Sequence, residues 1–180
     1  AYLQQQYNNG AFNLGNGGIT ISYWAKTDIS ATGFIFDHAP SNASGKRFAV
    51  YYENGQIKFY TTNGGGSSEA VTPTVDSAAN PVGLANPMDD VWHHVVCTRE
   101  PSGSNASCAH RIYVNGILRT DSSLPNRDLT NSSARMTIGH RCNIGNNQAF
   151  NGSIALLRIS EDPASQQQVY KMWVREKALF

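Results

Sequence analysis

Gly18-Ile19-Thr20-Ile21-Ser22-Tyr23-Trp24 is a short apolar alternation opened by a glycine. The same kind of segment returns as Trp92-His93-His94-Val95-Val96 and as Arg111-Ile112-Tyr113-Val114-Asn115-Gly116. It comes back again as Met136-Thr137-Ile138-Gly139 and Phe150-Asn151-Gly152-Ser153-Ile154. Each piece is closed by a glycine or a polar turn, which is how half-buried strands read. The chain is therefore an all-β candidate.

The most explicit local unit lies between these segments. Phe48-Ala49-Val50-Tyr51-Tyr52-Glu53-Asn54-Gly55-Gln56-Ile57-Lys58-Phe59-Tyr60 carries Asn-Gly at its centre, and both residues tolerate the positive φ of a two-residue hairpin turn. That turn predicts Tyr52 opposite Ile57, Tyr51 opposite Lys58 and Val50 opposite Phe59. Phe48, Val50, Tyr52, Ile57 and Phe59 then face the core, and Tyr51, Lys58 and Tyr60 share the outer face. Val114-Asn115-Gly116-Ile117 predicts a second turn of the same type. One helix is expected near the end, with Ser165 as cap, Gln168 three residues on, and Val169, Met172 and Trp173 as an apolar stripe packed on the sheets. Thr61 to Asp90, with Gly64-Gly65-Gly66, Pro73, Pro81 and Pro87, reads as a long surface excursion and a candidate binding rim.

A length of 180 residues suits one domain. The apolar fraction of 40% is enough for a substantial core, which excludes general disorder. A net charge of +1, with only 15% charged residues, supports neither a nucleic-acid nor an anionic-membrane partner. No apolar run has the length of a membrane span, and none reads as a signal peptide. Ala1-Tyr2-Leu3-Gln4 reads as the middle of a strand.

The order and spacing of the strand motifs resemble laminin-G-like jelly rolls of the concanavalin A-like lectin/glucanase superfamily, over nearly the whole chain. The resemblance implies an antiparallel two-sheet jelly-roll sandwich with one short C-terminal helix. It also implies an additional strand before Ala1, so residues 1–180 are expected to be a mature or excised piece of a larger extracellular protein. The superfamily hosts binding modules, spacers and glycoside-cleaving enzymes, so function has to be argued from the site.

Cys97, Cys108 and Cys142 have no zinc-ligand spacing. Cys97 and Cys108 flank the hairpin loop Glu100 to Ser107, and pairing about its middle predicts a disulfide between them. That would leave Cys142 unpaired, buried or bonded to another chain; three buried thiols are the alternative. Sequons at Asn42, Asn105, Asn131 and Asn151 point to a secreted or cell-surface glycoprotein. Asn42 and Asn105 fall in loops, Asn131 precedes a strand, and Asn151 enters one at a tight glycine.

Retaining glycoside hydrolysis needs two carboxyl groups about 5–5.5 Å apart, which alternating acids on one strand would supply. Asp89-Asp90 and Glu161-Asp162 are adjacent pairs instead, and no strand carries acids in alternation. There is no Gly-x-Ser-x-Gly elbow, no phosphate loop and no dinucleotide fingerprint. His93 and His94 point to opposite sides of a strand, and a structural role is expected for both. The chain is expected not to be an enzyme.

Calcium is the cofactor candidate, since lectin-like jelly rolls hold it with rim oxygens. Asp37, Asp89, Asp90 and the Asn143 to Asn147 loop are the rim groups, although none forms a recognisable calcium loop. For glycan binding, Tyr51, Lys58 and Tyr60 offer a stacking platform, and Asp37-His38 or Asn146-Asn147 offer polar contacts. The resemblance thus implies an extracellular recognition or adhesion module, chiefly for glycans. The alternative is a self-assembling structural block of a filament, coat or fibre that makes protein contacts.

Overall fold

The structure is a computed structural model that describes residues 3–5, 14–28, 32–40, 45–73, 87–131, 134–142 and 148–180. Asn54 (φ 52°) and Gly55 (φ 72°) form the expected positive-φ turn. It joins β4 (Arg47–Glu53) to β5 (Gln56–Thr62) in the predicted register, with Tyr52 opposite Ile57, Tyr51 opposite Lys58 and Val50 opposite Phe59. Asn115 (φ 51°) and Gly116 (φ 77°) do the same between β8 (Ser107–Val114) and β9 (Ile117–Pro125).

Around these hairpins lie β1 (Leu3–Gln5), β2 (Ile19–Asp28), β3 (Gly33–Ala39), β6 (Ser67–Val71), β7 (Asp89–Pro101), β10 (Arg135–Ile138) and β11 (Ser153–Ser160). They make two antiparallel sheets, ordered β1-β10-β3-β4-β5-β6 and β11-β2-β7-β8-β9. This is the jelly-roll sandwich expected from the sequence. Period-two alternation turns Phe36, Phe48, Val50, Tyr52, Ile57 and Phe59 of one sheet against Ile19, Ile21, Tyr23, Val95, Ile112 and Val114 of the other. Each such side chain contributes about 1.5–3 kcal/mol on burial, so this shared layer is the main stabilising element.

Between the sheets, Arg99 is fully buried. Its guanidinium donates to the Gly17 carbonyl (2.6 Å), the Arg127 carbonyl and the Asn126 side chain, fastening the chain before β2 to the segment after β9. Burial and the nearby Arg99 cation push the His110 pKa down to about 4.

The stretch from Thr61 to Asp90 is not one excursion where it is described, and its residues 74–86 lie outside the described residues. Thr61 and Thr62 end β5, Asn63 to Gly66 make a turn, and β6 follows as an edge strand. Asn63 Oδ1 accepts from the Gly65 and Gly66 amides, at 3.1 and 2.9 Å, and so closes the hairpin. Ser68 and Thr120 then tie this edge to the other sheet, through the Pro125 and Val71 carbonyls.

The disulfide expectation is overturned. The β7–β8 hairpin sets Cys97 opposite Ile112, and Cys108 opposite Pro101. Four strand residues, roughly 13 Å, therefore separate the two cysteines along the ladder, too far for a bridge. All three thiols are free and buried.

The helix α1 (Gln166–Glu176) begins as predicted. Ser165 and Gln168 form a reciprocal capping box. The helix covers the outer face of the five-stranded sheet, where Val169 packs with Val96 and Tyr113. Trp24 donates to Glu176 at 2.8 Å, and Phe180 stacks on the same indole. Trp173 lies over the Asn115-Gly116 turn, against which a Cβ on Gly116 would sit 3.3 Å from its ring.

Candidate functional site: an aromatic cleft on the six-stranded sheet

Along β4 the outward side chains are Arg47, Ala49, Tyr51 and Glu53, and along β5 they are Lys58 and Tyr60, by simple alternation. On β3 a bulge between Phe34 and Phe36 breaks the alternation. Phe34 pairs with Tyr51 and Asp37 with Ala49, so both reach the outer face although they are three residues apart. The result is an open cleft of about 230 Å³ lined by Phe34, Arg47, Tyr51, Glu53, Tyr60, Arg141 and Gln148.

Aromatic planes and cations form its floor. Phe34 and Tyr51 stack with centroids 4.9 Å apart. Arg47 and Arg141 lie 5.2 and 5.8 Å from the Phe34 centroid, within the range of cation–π attraction. The Tyr51 hydroxyl donates to Glu69. Burial, reinforced by that bond, pushes the Tyr51 pKa up and keeps the phenol protonated. Lys58 sits 5.6 Å from the Tyr51 centroid and pairs with Glu53 (2.8 Å) and Glu69 (3.9 Å).

Arg47 is held from beneath. It forks onto Asp37, with Nε to Oδ1 at 2.7 Å and a second bond from Nη2 to Oδ2. The same carboxylate accepts the Cys142 amide at 2.7 Å. Burial works against the Arg47 charge, but the Asp37 bonds outweigh it and the pKa rises. Arg141 is held differently: among the described residues its side chain donates to the neutral Gln148 Oε1 at 2.8 Å.

Of the residues expected to meet a ligand, Tyr51, Lys58 and Tyr60 do share one face, and Tyr51 and Tyr60 line the cleft. Asp37 is not a rim residue, because it is fully buried and committed to Arg47. His38 is no ligand contact either. It points into the sandwich against Phe48, 4.7 Å away, where burial lowers its pKa to about 4. Asn146 and Asn147 lie outside the described residues. The structure adds Phe34, Arg47, Glu53, Arg141 and Gln148 to the site. Arg47 and Glu53 were readable from alternation with Tyr51, whereas the bulge hid Phe34 and no periodic signal marks Arg141 or Gln148.

The described calcium candidates do not converge, and the Asn143 to Asn147 loop lies outside the described residues. Asp37 is in β3 of one sheet, while Asp89 and Asp90 open β7 of the other. Asp89 pairs with His93 Nε2 at 2.7 Å and accepts the Val91 amide, and Asp90 lies 3.8 Å from Lys26. Among the described residues no group of three His, Cys, Asp or Glu side chains could hold a metal ion. The two adjacent histidines do point to opposite sides. His93 bridges Asp89 and Asn115 (3.0 Å), bracing the second turn, and His94 packs 5.2 Å from Trp24 beneath α1.

Of the sequons, Asn42 lies outside the described residues. Asn105 is exposed at a hairpin tip with φ 55°, and Asn151 is exposed before β11. The Asn131 amide donates to the Lys46 carbonyl. No helix among the described residues is long and apolar enough to cross a membrane.

A family model described as "Concanavalin A-like lectin/glucanases superfamily", of laminin-G type, matches residues 4–170. No curated protein sequence matches the chain. Among solved structures, the receptor binding domain of botulinum neurotoxin type G aligns over 89% of this chain and 38% of its own, at 14% identity and a TM-score of 0.65. Domains LG4-5 of the mouse laminin alpha1 chain align over 93% of this chain and 41% of theirs, at 14% identity and a TM-score of 0.63. Domain 4 of a GH43 extracellular arabinanase from Geobacillus stearothermophilus, in complex with arabinotriose, aligns over 88% and 66%, at 17% identity and a TM-score of 0.57. The chain thus spans less than half the length of the first two, and at these identities the likeness is one of fold.

Proposed function

The chain belongs to the concanavalin A-like lectin/glucanase superfamily, and from that premise we propose that it is a non-catalytic extracellular recognition module that binds glycans in the aromatic cleft. One observation carries this reading. Tyr51 and Tyr60 stand in an open cleft beside the anchored hydrogen-bonding groups of Arg47, Arg141, Gln148 and Glu53. Sugars are recognised by that pairing, in which ring faces rest on aromatic planes while fixed polar groups read the hydroxyls. The arabinotriose complex of one fold neighbour and the exposed sequons at Asn105 and Asn151 support the glycan and extracellular parts of the reading. Catalysis is disfavoured because Glu53 is the one carboxylate among the cleft's described lining, and hydrolysis of a glycosidic bond calls for a pair.

A glycan array followed by calorimetry on the best ligand tests this. Tyr60→Ala is expected to weaken binding about tenfold or more, at the scale of one lost aromatic contact, with an unchanged unfolding midpoint. Binding that survives Tyr60→Ala and Tyr51→Ala unaltered would move the site elsewhere.

A second reading, a building block that makes protein contacts, is favoured by one patch. Ile117, Tyr170, Val174 and Leu179 are exposed apolar side chains on and around α1. Cys142, however, is buried against Asp37 and cannot link chains. Sedimentation of wild type against Tyr170→Ser/Val174→Ser separates the readings, since only a contact surface loses self-association.

A further inference from the structure

Around the cleft Arg47, Lys58 and Arg141 stand among the carboxylates of Asp37, Glu53 and Glu69, but the pairing is uneven. Arg47 is neutralised by the Asp37 carboxylate beneath it, and Lys58 is shared between Glu53 and Glu69. Arg141 has no carboxylate within ion-pair distance among the described residues. Its one side-chain bond goes to a neutral amide, and its Nε is buried with no hydrogen-bond partner there. A guanidinium offers five donors in a planar fork that fits a carboxylate or sulfate, and this one lines the cleft with Gln148 as its side-chain acceptor among the described residues.

The electrostatics agree with the geometry. Burial first, and then the neighbouring Arg47 cation, draw the Arg141 pKa below its usual value. The folded chain thus holds two guanidinium groups 5.2 and 5.8 Å from one phenyl centroid, and among the described residues only Arg47 is in ion-pair contact with a carboxylate. An anion on Arg141 would remove that penalty. Glu53 lines the same cleft and limits the attraction to one charge, because a second anionic group would meet its carboxylate.

Resting on the glycan-cleft reading above, we propose that the cleft selects an acidic sugar carrying one anionic group, a carboxylate or sulfate ester, whose charge Arg141 receives while the ring lies on Tyr51 and Tyr60. Densely charged polyanions are not the preferred class. The 230 Å³ of the cleft is below the ~300–1,000 Å³ of pockets that enclose whole ligands. It suits the end, or a short stretch, of a glycan lying across an open face.

The test compares three oligosaccharide probes of equal length by calorimetry: neutral hexose-ended, hexuronate-ended and singly sulfated. A densely sulfated chain serves as the fourth. Wild type is expected to bind the singly charged probes about tenfold or more tighter than the neutral one, at the scale of one charge-assisted bond. Arg141→Gln should abolish that preference, so that the variant binds charged and neutral probes alike, and Arg141→Lys should restore part of it. Raising the salt concentration should shrink the preference as well. Equal binding of neutral and charged probes, acidic preference that persists in Arg141→Gln, or strongest binding of the densely sulfated chain would each overturn the charge assignment while the glycan reading stands. Failure of all four probes to bind wild type would overturn both. Circular dichroism of each variant confirms that it is folded before its binding is compared.

Discussion

Asp37 and Arg47 form the one ion pair among the described residues in which both side chains are buried, at 0% and 9% exposure. The pair spans adjacent antiparallel strands. It sits directly under the cleft and fixes the angle of a guanidinium that lies over Phe34. Asp37→Asn keeps the shape but leaves a buried cation with a neutral partner. The expected loss is about 3–5 kcal/mol of unfolding free energy, measured by urea denaturation. Replacing both together, as Asp37→Leu/Arg47→Met, should recover most of that stability, because the uncompensated charge is gone. A double variant as unstable as Asp37→Asn would show that the pair acts through the Cys142 amide bond instead.

Acid should unfold the protein through its buried histidines, and His94 is the cleanest reporter. Burial, with a smaller opposing effect from Glu176, lowers its pKa from 6.5 to about 4. Between those two values the unfolded chain binds a proton that the folded chain does not. Stability is therefore complete above about pH 6.5 and falls as the pH drops toward 4. At about 1.4 kcal/mol per pH unit, this one residue accounts for a loss on the order of 3 kcal/mol. His94→Leu should leave stability at pH 7 unchanged or higher, since both ring nitrogens lack partners among the described residues. It should also flatten the pH profile of the urea midpoint between 6.5 and 4. An identical acid profile for both proteins would place the acid sensitivity at His38 or His110.

The elements that were legible in the sequence are those specified by neighbouring residues. Asn54-Gly55 sets a turn, the turn sets the register, and the register decides which of Tyr51 and Tyr52 faces out. The Ser165–Gln168 capping box is equally local. What could not be read depends on partners distant in the chain. Asp37 looked like a rim acid because nothing nearby shows that Arg47 and the Cys142 amide meet it 10 and 105 residues away. The bulge that turns Phe34 outward has no composition signal, since Gly33-Phe34-Ile35-Phe36 reads as an ordinary apolar strand. β6 was hidden because Ser67-Ser68-Glu69-Ala70-Val71 carries little strand propensity of its own; its order comes from pairing with β5.

Gly116 joins the second hairpin to the helix. Its φ of 77° is strained for any other residue, and an added Cβ would press on Tyr170 at 3.2 Å and Trp173 at 3.3 Å. Gly116→Ala is expected to cost about 1–3 kcal/mol and to shift the tryptophan emission as Trp173 is displaced. Gly103 is the control. A Cβ there meets nothing within 4 Å, so Gly103→Ala should stay within about 0.5 kcal/mol of wild type. Equal thermal midpoints for the two variants would remove the turn–helix contact as a source of stability.

The cysteines give the last prediction. Cys97 sits in the core, where burial pushes its pKa well up, and Cys142 is pushed up to about 12 by burial and then by the Asp37 charge. Burial raises the Cys108 pKa too, although Arg99 opposes it. Since the thiolate is the reacting species, native protein should react slowly with a thiol reagent near neutral pH. The same protein in denaturant without reductant should release three thiols at once. Asp37→Asn should speed the native reaction at Cys142 selectively, because that carboxylate accepts the Cys142 amide and its charge disfavours the thiolate. Peptide mapping after brief labelling reads the site directly. A denatured count of one thiol would mean that two of the three cysteines have paired, and mapping would say which. A bridge between Cys97 and Cys108 would require β7 and β8 to pair about four residues out of the observed alignment, which would carry Val95 and Ile112 out of their present positions in the ladder. A four-residue slip keeps the same face inward, so what holds the alignment against it is the turn, where the Ser102 amide donates to the Ser107 carbonyl and the Asn105 amide to the Ser102 carbonyl, both at 2.9 Å.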